Sequence, residues 1–160
     1  MTRPSYAELM VTSNFSFLRS GSHPEELVSA AIALGLDGVG ICDRNSFAGV
    51  VRGYVAHRDL KHKAPDFRYV VGVRLCFADD TPDIVAYPSD REAYGRLCRM
   101  LSRGNLREES EKGKCVLHFA DLEEFIAGQL LILHCDETRW EHSAATLDRL
   151  AQLSPGNVWL

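Results

Sequence analysis

Along the chain, short apolar runs alternate with stretches in which apolar residues recur every three or four positions. In order they read YAELMVT, PEELVSAAIALGL, GVGIC, SFAGVVRGYVAHRDL, YVVGVRLCF, DIVAY, REAYGRLCRMLSRG, DLEEFIAG, LLILHC and HSAATLDRLAQL. Short runs bounded by turn formers mark strands and the 3.6-residue period marks helices, so this order predicts repeated β/α units around a mostly parallel sheet. Start and stop signals agree with it. Ser22-x-x-Glu25, with Pro24 in the first turn, and Ser89-x-x-Glu92 have capping-box spacing, and Gly35 and Gly104 stand where helices should end.

One stretch breaks the pattern. GNLREESEKGKC, from Gly104 to Cys115, is charged and aperiodic, which predicts a mobile loop. At the far end, SPGNVWL places a Pro-Gly turn before Val158, Trp159 and Leu160, the opening of a further strand. A β/α pattern that stops there is expected to be cut before its barrel closes, which leaves Leu130 to Leu133 and Val158 to Leu160 near an open seam and favours self-association. No internal repeat is present.

Composition narrows the class. A chain of 160 residues fits one domain and, on size scaling, buries about two-thirds of its unfolded surface, so it needs no disulfides. The five cysteines (Cys42, Cys76, Cys98, Cys115 and Cys135) are widely spread and form no Cys-x-x-Cys pair, as expected of a reduced, cytoplasmic protein. Cys42 and Cys76 fall inside apolar strand patterns and read as buried small hydrophobes. The N-terminus has no apolar core of a signal peptide, and no run reaches the roughly 18 residues of a membrane span. A net charge of −4 gives no global attraction to nucleic acid; HRDLKHK, His57 to Lys63, reads either as a local contact or as a solvated helix end.

In closed β/α barrels the reactive groups stand at the C-terminal ends of the strands. Those ends fall at Met10 and Thr12, at Asp43 and Arg44, at Arg74, at Asp83, and at His134, Cys135 and Asp136. Strand alternation turns Met10 and Thr12 to one face. The chain has no Gly-rich phosphate loop, no Gly-x-Ser-x-Gly elbow and no Lys-x-aromatic nucleic-acid patch.

The stretch YAELMVTSNFSFLRSGSHPEELVSAAIALGLDGVGICDRNSFAGVVRGY, continued through VVGVRLCFADDTPDIVAYPSDREAYGRLCRMLSRG and GQLLILHC, resembles the N-terminal polymerase-and-histidinol-phosphatase (PHP) domain of bacterial C-family DNA polymerases, nearest to the error-prone polymerases of lesion bypass. The resemblance covers nearly the whole chain. It implies a distorted (β/α)7 barrel with mostly parallel strands, of which residues 1–160 form the first part, and a partner in the remainder of a polymerase chain, through which DNA is reached. The catalytic carboxylates of a polymerase would lie downstream, so the chain by itself is expected not to polymerise.

Active members of that family hold two or three divalent metals in a histidine-rich shell and hydrolyse phosphoesters. The family's His-x-His falls on Met10 and Thr12, its acidic ligand after the first strand on Arg19, the histidine of its TDH turn on Arg44 and the glutamate of its G-x-E strand on Arg74. A further histidine aligns near Asp83, and only Cys135 matches a ligand type of the polymerase members. Thioethers and neutral hydroxyls are poor ligands for hard cations, and an arginine beside a dication adds repulsion on the order of several kcal/mol per close pair. The resemblance therefore implies a degenerate metal site, no cofactor and no catalysis.

Three roles are open for the arginines. With Asp43 and Asp83, Arg44, Arg74 and Arg19 could replace the metal charge by ion pairs; they could bind an anion; or they could be unrelated surface residues. Asp43 reads more simply as an acceptor for Arg44 or a loop amide than as a base. His23 reads as a capping or loop residue. A rival function is a phosphoesterase or nuclease with an altered zinc, manganese or magnesium site built from His23, Asp43, Asp83, His134, Cys135 and Asp136. A third is a free-standing binding or regulatory protein.

Overall fold

The structure is a computed structural model that describes residues 5–110, 113–135 and 137–160. Glu111 and Lys112, within the loop predicted from Gly104 to Cys115, and the candidate ligand Asp136 lie outside the described residues. Two compact units divide the chain, Met1–Val73 and Arg74–Leu160. Among the described residues the strands are, in chain order, β1 (Ala7–Val11), β2 (Gly38–Arg44), β3 (Arg68–Leu75), β4 (Ile84–Pro88), β5 (Gln129–Leu133) and β6 (Val158–Trp159). Mixed α/β with mostly parallel strands is the class the pattern predicts.

In the first unit β1 pairs in parallel with β2, with Ala7 opposite Gly38 and Val11 opposite Ile41. Gly38 to Asp43 are all buried, and Gly38 to Cys42 form the continuous apolar run expected of a strand covered on both faces. Val28 and Ala31 of α1 (Pro24–Ala33) pack with Val39, Ile41 and Phe67. Helix α1 ends as predicted: Gly35 has φ 69° and donates to Ile32 O, while Leu36 N–H donates to Ala31 O, the paired bonds of a Schellman motif. Helix α2 spans Val50–Leu60.

Two start signals are each displaced by one residue. Helix α1 begins after His23, whose N–H donates to Glu26 at 2.8 Å, rather than after Ser22. Helix α3 (Arg91–Leu106) is capped by Asp90, which accepts from Ala93 N–H at 2.7 Å, rather than by Ser89. In both places an adjacent polar residue offers nearly the same spacing, and chain entry selects between them.

In the second unit β5 runs antiparallel to β4, with Ile84 opposite Leu133, and parallel to β6, with Leu131 opposite Val158. Leu97 and Met100 of α3 are fully buried, as are Leu117, Leu122 of α4 (Phe119–Phe125), Leu131, and Leu150 of α5 (Trp140–Leu153). Gly104 does not end α3, which continues to Leu106. Its lack of a side chain has a packing cause: a Cβ there would stand 2.6 Å from Cys115 Sγ and 3.0 Å from Val116 O. The expected loop is correspondingly shorter. Cys42 is buried and Cys76 only half-buried, because Cys76 lies just past β3. No helix among the described residues is long and apolar enough to cross a membrane.

Candidate functional site: the strand ends

In the first unit the chain leaves β1 through Met10 and Thr12, both half-buried, and turns at Ser13. The turn is organised by Asp43 near the end of β2, only 2% exposed. One of its carboxylate oxygens accepts from Ser13 N–H at 2.9 Å and from the Ser16 hydroxyl at 2.7 Å; the other accepts from the Ser13 hydroxyl at 2.7 Å. Arg44 N–H donates to Ser16 Oγ at 2.9 Å. A buried charge must be hydrogen-bonded, and here three donors from one turn meet it, so Asp43 fastens the turn to β2. Arg44 itself is half-buried, while Arg19 and His23 are exposed.

The second unit brings Arg74 and Asp83 together. Arg74 Nε donates to Asp83 Oδ2 at 2.8 Å, with about a quarter of each side chain exposed. Asp83 stands at the entrance of β4 and not at a C-terminal strand end, as chain order had predicted. Because β4 is antiparallel to β5, its entrance meets the exit of β5, and His134 N–H donates to Asp83 O at 2.9 Å. The His134 side chain is exposed and Cys135 is half-buried.

Sequence reading passed over several groups. Ser13 and Ser16 carry no motif that would link them to an aspartate about 30 positions away. Asp79 accepts from Phe119 N–H at 2.7 Å and from the Thr81 hydroxyl at 2.7 Å. Burial pushes its carboxyl up, but these bonds outweigh burial and hold it below the usual carboxylate value. Asp121, 4% exposed, accepts from Arg107 at 2.6 Å and from His118 N–H at 2.8 Å, with Arg103 at 3.7 Å. Burial pushes the Cys115 thiol up to about 11.

These donor sets do not suit a metal. Asp83 offers one oxygen already held by a guanidinium, and Asp43 directs its carboxylate to serine donors. Among the described residues, no group of three or more His, Cys, Asp or Glu side chains could hold an ion.

The model of the PHP domain family matches residues 8–153. The error-prone DNA polymerase of Rhodopseudomonas palustris (strain BisB5) is 53% identical over the whole chain, and that of Brucella abortus biovar 1 (strain 9-941) is 48% identical over 97% of it. The chain spans 14% of the length of each of these relatives. Among solved structures, an amidohydrolase from Chromobacterium violaceum with bound sulfate and no metal shares the fold over 95% of this chain and 75% of its own, at 15% identity and TM-score 0.59. A Bifidobacterium adolescentis protein assigned as a metal-dependent phosphoesterase does so over 64% of this chain and 34% of its own, at 21% identity and TM-score 0.50.

Proposed function

The chain belongs to the PHP domain family, and from that premise we propose that it serves as a non-catalytic scaffold domain of an error-prone DNA polymerase acting in translesion synthesis and repair. The observation that carries this reading is the Arg74–Asp83 pair. At a position where the family places a metal-binding glutamate, this chain has a guanidinium, and the guanidinium holds the neighbouring carboxylate. Met10, Thr12, Arg19 and Arg44 extend the same substitution in the first unit, where imidazoles and an acid would be needed. The Arg74 guanidinium supplies positive charge beside Asp83 in place of a metal ion. Such a domain contributes folding stability and surface to a larger chain, while nucleotide transfer and DNA contact belong to the remainder of that chain.

Elemental analysis after dialysis tests the reading. Manganese, zinc and iron are each expected well below one equivalent. Hydrolysis of single-stranded DNA is expected to match that of an Asp83→Ala control. One tightly held equivalent of metal, or hydrolysis abolished by Cys135→Ala, would overturn the scaffold reading in favour of the phosphoesterase.

A further inference from the structure

The loop between β1 and α1 presents large apolar side chains to water on a fixed frame. Phe17 is 83% exposed and Leu18 87%. Exposed residues of this kind in a mobile loop would need no explanation, but this loop is tied down. Asn14 N–H donates to Ser22 O at 2.8 Å, Ser16 N–H to Ser13 O at 3.0 Å and Arg19 N–H to Ser16 O at 2.9 Å. Asp43 holds Ser13 and Ser16 from below. Leu18 adopts φ 61° at the third position of the turn Ser16–Arg19, where glycine is favoured and a leucine is strained. Neither the exposure nor the strain contributes to the unit's own core.

Phe15 carries the same surface to α2. Its ring lies against Gly49, where a Cβ would come within 3.1 Å, and 5.9 Å from the Arg52 guanidinium. Val51 and Tyr54, in the first turns of α2, are also more than half exposed. Arg19 is exposed, and Arg52, about half exposed, pairs with Glu25 at 3.5 Å.

We propose that Phe17 and Leu18 are the anchors of a docking face for an apolar pocket in another part of the same polymerase-length chain. Pre-organised aromatic and aliphatic anchors lose little freedom on burial, which is what makes a few residues dominate an interface. The relatives' length selects the occupant: a chain of which this one spans 14% holds its other parts at high effective concentration, whereas a second copy must be drawn from bulk solution. The proposal rests on the reading of the chain as a polymerase domain.

The test places Phe17→Cys or Leu18→Cys in two settings and measures iodoacetamide labelling by peptide mass spectrometry. One setting is the 160-residue chain alone. The other is the Rhodopseudomonas palustris BisB5 polymerase with its matching 164-residue segment replaced by this chain. Labelling at either site is expected to be about tenfold or more slower in the chimera, with an exposed Lys61→Cys control labelled equally in both. The double variant Phe17→Ser with Leu18→Gly should keep the fold of the isolated chain and lower the chimera's melting temperature. Equal labelling in a chimera that still synthesises DNA overturns the docking face alone. Slowing that appears in the isolated chain as its concentration rises, with none added in the chimera, assigns the face to a second copy and also overturns it. A chimera without DNA synthesis overturns the polymerase-domain reading and the docking face with it.

Discussion

Asp43 and Asp121 are carboxylates buried to nearly the same degree, one in each unit, and their charges are met differently. Around Asp43 the donors are an amide and two hydroxyls, all from the turn at 13–16. Around Asp121 they are the guanidinium of Arg107, with Arg103 behind it, and the His118 amide at the start of α4. Neutral donors can rotate or be replaced without leaving a charge behind. A guanidinium cannot, so the second arrangement depends on the carboxylate's charge and the first on its shape. One carboxylate thus builds a loop platform and the other clamps α3 to α4.

Deletion should produce the largest effects and make the two sites look alike. Asp43→Ala and Asp121→Ala are each expected to cost about 3 kcal/mol by urea denaturation, through orphaned donors at the first and an unpaired, partly buried cation at the second. A loss below about 1 kcal/mol at either would break the comparison.

The isosteric amide should separate them. Asp121→Asn leaves Arg107 without its counter-charge and is expected to cost about 2–3 kcal/mol; Asp43→Asn, whose serine partners can reverse one hydroxyl, should cost about 1 kcal/mol. Equal losses would show that the donors' charge is irrelevant.

The partly exposed Arg74–Asp83 pair is a third, weaker case. Arg74→Leu is expected to cost about 1 kcal/mol or less, and less still in ~1 M salt, where exposed pairs are screened. Asp43→Asn should show no comparable salt dependence.

The smallest effect concerns Asp79, whose folded carboxyl lies below its ordinary value. Its stabilisation is therefore fully present above the unfolded carboxylate pKa of about 3.9 and is lost as pH falls through the lower folded value. The stability difference between the wild type and Asp79→Asn should be seen at pH 6 and vanish towards pH 2. A difference independent of pH would assign the role of Asp79 to shape alone.

Much of the fold was legible because it is written in local periodicity. The order of strands and helices, the glycine stop at Gly35 and the buried run of β2 follow from residues close in sequence. Cap positions were less so: His23 and Asp90 compete with Ser22 and Ser89, and one residue of difference is finer than spacing can resolve. At Gly104 the stop signal and the packing requirement use the same residue, and only the approach of Cys115 shows which applies.

By itself, the sequence determined residue type, and residue type decides metal chemistry before any folding: thioether, hydroxyl and guanidinium at Met10, Thr12, Arg19, Arg44 and Arg74, the positions to which the resemblance assigns ligands. Only the tertiary structure decided what meets what. The antiparallel pairing of β4 and β5 brings the Asp83 carbonyl to the His134 amide, and the return of β2 beside β1 places Asp43 under Ser13 and Ser16. The physical reason is that hydrogen bonds between residues tens of positions apart depend on strand direction and register, which no local pattern of apolar and polar residues encodes.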